Sequence, residues 1–261
     1  MKPISLTAII LAAAPLWAGV RVKAEQTEIK TNETTQQELL LDNERLRANE
    51  RNRSMLFLTD GGRDRMVVLD MARNEYREMD RQSMEQVSQQ LKGVMGQLQS
   101  QLQNLPPEQR ARLEQMIKGR MGQAGETAAP RTTYTAKASG SVNGFACTQY
   151  EGMRGAEKVA DLCAAKPADV RFNASDFQVI EKMREFGANM LSALANSPLS
   201  NSRVADLMQP GYDGLPVEQT SYSGGQPINK WQVQSIERVS FSDTDFSLGN
   251  AKKVDLIPGR R

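Results

Sequence analysis

The chain has 261 residues, a formal net charge of +2 from 33 basic and 31 acidic side chains, no histidine and two cysteines. The missing histidine removes the commonest general base and metal ligand, and with it any Ser-His or Cys-His nucleophile. Balanced charge and only 5% aromatic residues leave neither the basic stripe nor the stacking platforms of a nucleic-acid surface.

Met1-Lys2 followed by the apolar run Ile4 to Trp17 reads as a secretory signal peptide, too short to span a bilayer. Cleavage is expected after Ala18, with Ala24 as the alternative. Val22-Lys23-Ala24 is the better small-x-small match, but Val20 to Glu25 alternates apolar with charged residues like the start of a strand, which a cut after Ala24 would remove. No cysteine follows the signal to carry a lipid, so the mature chain is expected to be soluble in the periplasm of a Gram-negative bacterium, with no stable membrane span. Roughly 240 residues remain, enough for a sizeable core.

From Val20 to Met79 short alternating runs are separated by turn residues. Gln37 to Leu41 and Arg45 to Ala48 flank Asp42-Asn43; Ser54 to Thr59 and Arg65 to Asp70 flank Asp60 to Arg63; Glu75 to Met79 follows. Short turns between consecutive strands predict an antiparallel meander. The arginines from Arg45 to Arg81 are interleaved with Glu44, Glu50, Asp60, Asp64, Asp70, Glu75, Glu78 and Asp80, the pattern of a solvated strand face.

The period changes at Asp80. Met84, Val87, Leu91, Val94, Met95, Leu98 and Leu102 recur at three- and four-residue steps, predicting an amphipathic helix. Leu105-Pro106-Pro107 stops it and starts another carrying Leu113, Met116, Ile117 and Met121; the insert spans 80–121 and a small, polar linker covers 122–131. A strand returns at Thr132 to Lys137.

A hairpin then carries both cysteines. If the chain reverses about Gly155, Cys147 falls opposite Cys163, within disulfide reach; a two-residue turn at Arg154-Gly155 would instead oppose Cys147 to Leu162. In the first register Ala146, Tyr150, Ala160, Leu162 and Ala164 share one face, and Phe145, Ala165 and the cysteines the other. The competing reading makes Ala156 to Ala165 a short helix with Cys163 a free thiol. Phe177, Ile180, Met183, Met190, Leu191 and Leu194 mark a further helix, capped by Asn173 or Ser175 and stopped at Asn196 to Pro198. Leu215 to Tyr222, the turn Ser223 to Gln226 and a long strand to Phe241 follow, then Ser242 to Phe246 and an extended tail. Helices thus interrupt one continuing sheet, which predicts an α+β fold in a single domain over 19–261.

The chain contains no Gly-x-Ser-x-Gly, glycine-rich phosphate loop or Cys-x-x-Cys, and Asp243-Thr244-Asp245 lacks the further acids of a calcium loop. It is therefore expected not to be an enzyme and to carry no catalytic residues, cofactor or metal. Its positive feature is 13 methionines, several on helix stripes, where flexible thioethers either line adaptable surfaces or fill core gaps.

Met66-Val67-Val68-Leu69-Asp70 to Glu75-Tyr76, the insert with Leu105-Pro106-Pro107-Glu108-Gln109-Arg110, then Gly144-x-x-Cys147-x-x-Tyr150, Gly214-Leu215-Pro216-Val217 and Asp245-Phe246 occur in an order that resembles the periplasmic domain-of-unknown-function family 4412. That family is similar to the lipoprotein carriers LolA and LolB. The resemblance implies a curved, open antiparallel sheet (a half-barrel) with helices inserted across one face, and a cavity for acyl chains. It implies no catalytic residues. The function expected is a periplasmic protein binding an apolar or lipid ligand between the sheet and Met-rich helices, with Met84, Val87, Leu91, Met95, Ile180, Met183 and Met190 lining the pocket. The alternative is an envelope interaction module with a filled core that docks another protein.

Overall fold

The computed structural model describes residues 18–103, 105–106, 109–110, 112, 131–193 and 211–256. The first six strands are β1 (Ala18–Glu28), β2 (Glu33–Leu41), β3 (Arg45–Glu50), β4 (Arg53–Asp60), β5 (Arg63–Asp70) and β6 (Glu75–Asp80). Helix α1 (Arg81–Gln103) precedes β7 (Thr132–Val142), β8 (Phe145–Arg154) and β9 (Glu157–Ala165); helix α2 (Ala174–Ala193) precedes β10 (Leu215–Ser223), β11 (Gln226–Ser240) and the two-residue β12 (Lys252–Lys253). The second helix expected after Pro107, with Leu113, Met116, Ile117 and Met121, lies outside the described residues, as do nearly all of the linker, the stop at Asn196 to Pro198 and the apolar run 4–17.

All the described strands join in one 12-stranded sheet, ordered β12-β6-β5-β4-β3-β2-β1-β11-β10-β9-β8-β7. Two antiparallel meanders, β2 to β6 and β7 to β10, meet at the central pair β1 and β11, while β12 adds in parallel to β6. The hairpins expected at Asp42-Asn43, Asp60 to Arg63 and Ser223 to Gln226 all form.

The sheet is open, since its end strands β7 and β12 do not pair with each other, but it rolls strongly. Strands lie about 4.8 Å apart, so three spacings separate β11 from β8 by about 14 Å in a flat sheet. Yet Asn143, in the turn between β7 and β8, donates its side-chain N–H to the Val233 carbonyl of β11 at 2.7 Å. One core cluster likewise joins Phe57 of β4, Cys163 of β9 and Val179 and Phe186 of α2. A helix about 10 Å across can touch strands so far apart in the order only if the sheet curves around it. At the centre, Val20, Val22 and Ala24 of β1 are buried, so a cut after Ala24 would remove two core valines, whereas a cut after Ala18 spares them.

The hairpin of the cysteines forms, and residues 156 to 165 are not a helix. Cys147 and Cys163 are bonded, with Cα atoms 5.4 Å apart. The register differs from both expectations: Arg154 pairs with Glu157, a bulge follows at Gly152/Met153, and Cys163 faces Gln149 instead of Cys147. Turn and bulge together slip the ladder by two positions beyond the bulge, and an even slip leaves the side chains there, both cysteines included, on their expected faces. The disulfide therefore runs diagonally. Cys147 itself faces Gly140 of β7, where an added Cβ would lie 3.0 Å from the Gln149 side chain and 3.4 Å from the Cys163 sulfur, so Gln149 crowds the position and the bridge lies in contact with it. On the opposite face Tyr134 and Tyr212 meet edge to face at 5.0 Å, and the Tyr134 ring covers Gly152, where an added Cβ would come within 2.8 Å of it. Burial there pushes the Tyr212 hydroxyl up to about 12.

The C-terminal segment is a strap, not merely an extended tail. After β11 a 3-10 turn at Asp243–Phe246 seats Phe246 on the outer face among Leu40, Leu56, Leu58, Val67 and Leu69. Lys252 and Val254 then donate backbone N–H groups to the Asn74 and Tyr76 carbonyls. Two of the arginines expected on a solvated face hold this strap: Arg47 donates to the Asp245 and Ser247 carbonyls at 3.0 and 3.1 Å, and the Arg45 guanidinium lies 4.3 Å over the Phe246 ring. Arg47→Ala should cost about 1–2 kcal/mol, the scale of lost charge-assisted hydrogen bonds. Hydrogen exchange should accelerate over residues 241–254 and stay unchanged in β8 and β9; uniform acceleration would refute a separable strap.

Candidate functional site

Helix α2 is fixed over the concave face by its first turn. Asp176 is 1% exposed and accepts from Arg238 of β11 at 3.2 and 2.5 Å, while its carboxylate also takes the Asn173 backbone N–H at 2.6 Å. Arg238 also donates to the Arg171 carbonyl at 2.9 Å, so β11 grips the helix entrance. Further along, Phe186 packs on Phe57 with ring centroids 5.7 Å apart.

Register places the concave side chains of β1 to β6 in rows across the strands. The row beneath α2 reads Val20, Leu41, Leu46, Phe57, Met66 and Met79; the first four are essentially fully buried. The next row reads Val22, Leu39, Ala48, Met55, Val68 and Arg77. It is as apolar up to β5, but Leu39, Ala48, Met55 and Val68 are only half-buried, and with Ile180 of α2 they line one open space. The third row is polar: Ala24, Gln37, Glu50, Arg53, Asp70 and Glu75.

This second row is the floor of a cleft of about 590 Å³. Ile180 of α2, Phe172, Val217 of β10 and Trp231, Val233 and Ile236 of β11 form its walls, and Gln37, Glu50 and Arg53 stand at its mouth. Trp231 donates its indole N–H to Gln37 at 2.8 Å, and Gln37 donates in turn to Gln26 at 3.0 Å. The indole's polar edge is thereby satisfied within the sheet, leaving the ring as apolar wall. The volume lies within the range of small-molecule sites, about 300–1,000 Å³, and the lining has their character of apolar walls with few polar groups.

Of the seven residues expected to line a pocket, Ile180 is on the cleft. Met84 is buried and Val87 half-buried, while Met183 and Met190 pack on the core cluster; the side chains of Leu91 and Met95 lie outside the described residues. Sequence reasoning missed the floor and Trp231. Among the described residues no group of three or more His, Cys, Asp or Glu side chains is placed to hold a metal, and no helix is long and apolar enough to cross a membrane.

No protein-family model matches the chain, and no curated protein matches it either. Three solved structures are similar in outline. An uncharacterised conserved protein from Thermus thermophilus has 6% identity and a TM-score of 0.45, covering 92% of this chain and 91% of that one. MucB, in a MucA/MucB complex from Pseudomonas aeruginosa, has 9% identity and a TM-score of 0.35, covering 92% of this chain and 59% of that one. PNGF-II has 6% identity and a TM-score of 0.39, and the match spans 31% of that chain. At such identities and TM-scores these likenesses say nothing of what this chain binds.

Proposed function

We propose that the chain is an exported, non-enzymatic binding protein that holds an apolar molecule, such as a lipid tail, between the sheet and α2. The observation that carries this reading is the second concave row: four consecutive strands, β2 to β5, present half-buried apolar side chains to an open space walled by Ile180 of α2 and by β11. Water in such a space is released when an apolar chain enters, at about 0.8 kcal/mol per buried methylene. The Cys147–Cys163 bond supports export, because structural disulfides persist in oxidising compartments. The likeness to family 4412 and to LolA and LolB enters only through the order of its motifs.

Ala48→Trp tests the proposal, since an indole at this half-buried position on the cleft floor takes the ligand's place. Fluorescence of an added apolar dye should fall with affinity reduced about tenfold or more, and stability should change by less than about 1 kcal/mol. Native mass spectrometry of the unmodified protein purified from a periplasm should show a retained apolar mass that the variant lacks. No retained mass, with dye binding equal in both proteins, would overturn the reading. One observation favours the alternative, an interaction module without ligand: Met84, Met183 and Met190, expected to line the pocket, serve packing instead. A protein partner captured by wild type and Ala48→Trp alike, with no retained lipid, would establish it.

A further inference from the structure

The polar row at the mouth of the cleft says more about the ligand than its apolar floor does. Glu50 and Arg53 are opposed across the β3–β4 hairpin, both are exposed, and both line the cleft. Opposite charges in this position ordinarily pair, yet neither side chain makes an ion pair or side-chain hydrogen bond with another described residue. Next along the row, Asp70 is engaged by Arg73 at 3.8 Å, and on the other side Gln37 is committed to Trp231 and Gln26. The mouth thus presents one carboxylate and one guanidinium side by side, directly above the apolar row of Ala48 and Met55.

From this juxtaposition, and resting on the reading of the cleft as a binding site, we infer that the ligand is a zwitterionic amphiphile. Its chain lies along the floor, its ammonium group meets Glu50, and its phosphate or carboxylate meets Arg53. A purely anionic head would gain the guanidinium but face the Glu50 carboxylate, and a purely cationic head the reverse. A zwitterion satisfies both, each contact being a charge-assisted one.

The test uses the full mature chain and single-chain probes of equal acyl length, kept below their micelle concentrations, competing with a bound apolar dye. A lysophosphatidylethanolamine supplies the zwitterion, a lysophosphatidylglycerol the anion, an alkylammonium the cation and a fatty alcohol the neutral head. The zwitterion is expected to bind about fivefold more tightly than the anion or the cation, a ratio in keeping with exposed to half-exposed ion pairs. Glu50→Gln should remove its advantage over the anion, Arg53→Gln its advantage over the cation, and 0.5 M salt should narrow both. Both substitutions are on exposed side chains, and circular dichroism with an unchanged unfolding midpoint confirms that the variants fold. If all four probes bind alike in wild type and variants, the head-group inference is overturned while the apolar cleft stands. If none displaces the dye, the cleft reading itself fails.

Discussion

Replacing Arg238 by methionine should lower stability by about 3–5 kcal/mol, as expected when one partner of a buried ion pair is removed. Asp176, at 1% exposure, cannot rehydrate in place, and the loss of its cation leaves only the Asn173 N–H to satisfy it. The pair costs desolvation as well as supplying attraction, so converting both partners to apolar residues should recover much of the loss. Asp176→Leu combined with Arg238→Met is therefore expected to be more stable than Arg238→Met alone. Urea unfolding of the three variants measures this directly. A loss under about 1 kcal/mol for the single variant would mean that α2 is held by packing alone. Ile180 lies one helical turn beyond Asp176 and forms a wall of the cleft, so dye binding should weaken in Arg238→Met even at temperatures where it remains folded.

Loss of the disulfide is the second large effect. Its sequence separation is 16 residues, which in the chain-entropy model corresponds to about 3 kcal/mol. Cys147→Ala with Cys163→Ala should fall by that amount, moving the urea midpoint by about 1 M for a chain of this size. A diagonal bridge also predicts which rescue works. Cysteines moved to Gln149 and Cys163, directly opposed in the ladder, should bond without disturbing the faces, whereas cysteines at Thr148 and Cys163 should not, because alternation puts them on opposite faces. Thiol titration after unfolding, before and after reduction, distinguishes the two designs. Bonding of the Thr148 pair would mean the ladder slips.

The strands and hairpins were legible because their signals are local. Gly61-Gly62 and Gly224-Gly225 stand between alternating runs, and both pairs adopt positive φ in their turns. The face of each cysteine was legible for the same reason, since parity survives an even slip. The register itself was not: Gly152 inside a strand run allows the bulge at Gly152/Met153 but does not dictate it. The cleft was hidden more deeply. Leu39, Ala48, Met55 and Val68 alternate just as Leu41, Leu46, Phe57 and Met66 do, and what separates cleft floor from core is where α2 and β11 stand over the sheet, which local sequence does not carry. The helix start is anchored by Asp176 and Arg238, partners 62 positions apart in the chain. The strap did leave a sign. Met55-Leu56-Phe57-Leu58 is apolar without alternation, as befits a strand covered on both sides, and Phe246 is the lone aromatic in a polar turn able to cover the second.

The central pairing has a kinetic consequence. Ala18 meets Ser240 and Glu28 meets Asn229, so the strand made first completes its ladder only with one made near the end. Until β11 arrives, one edge of β1 offers free amides and carbonyls, a template for other chains. Loop closure over such a span is slow, and slow closure prolongs exposure to aggregation. The bridge in β8 and β9 can form earlier, from a short loop, and hand β10 and then β11 a prepared edge. Maturation should thus proceed from the chain's later half back onto its beginning.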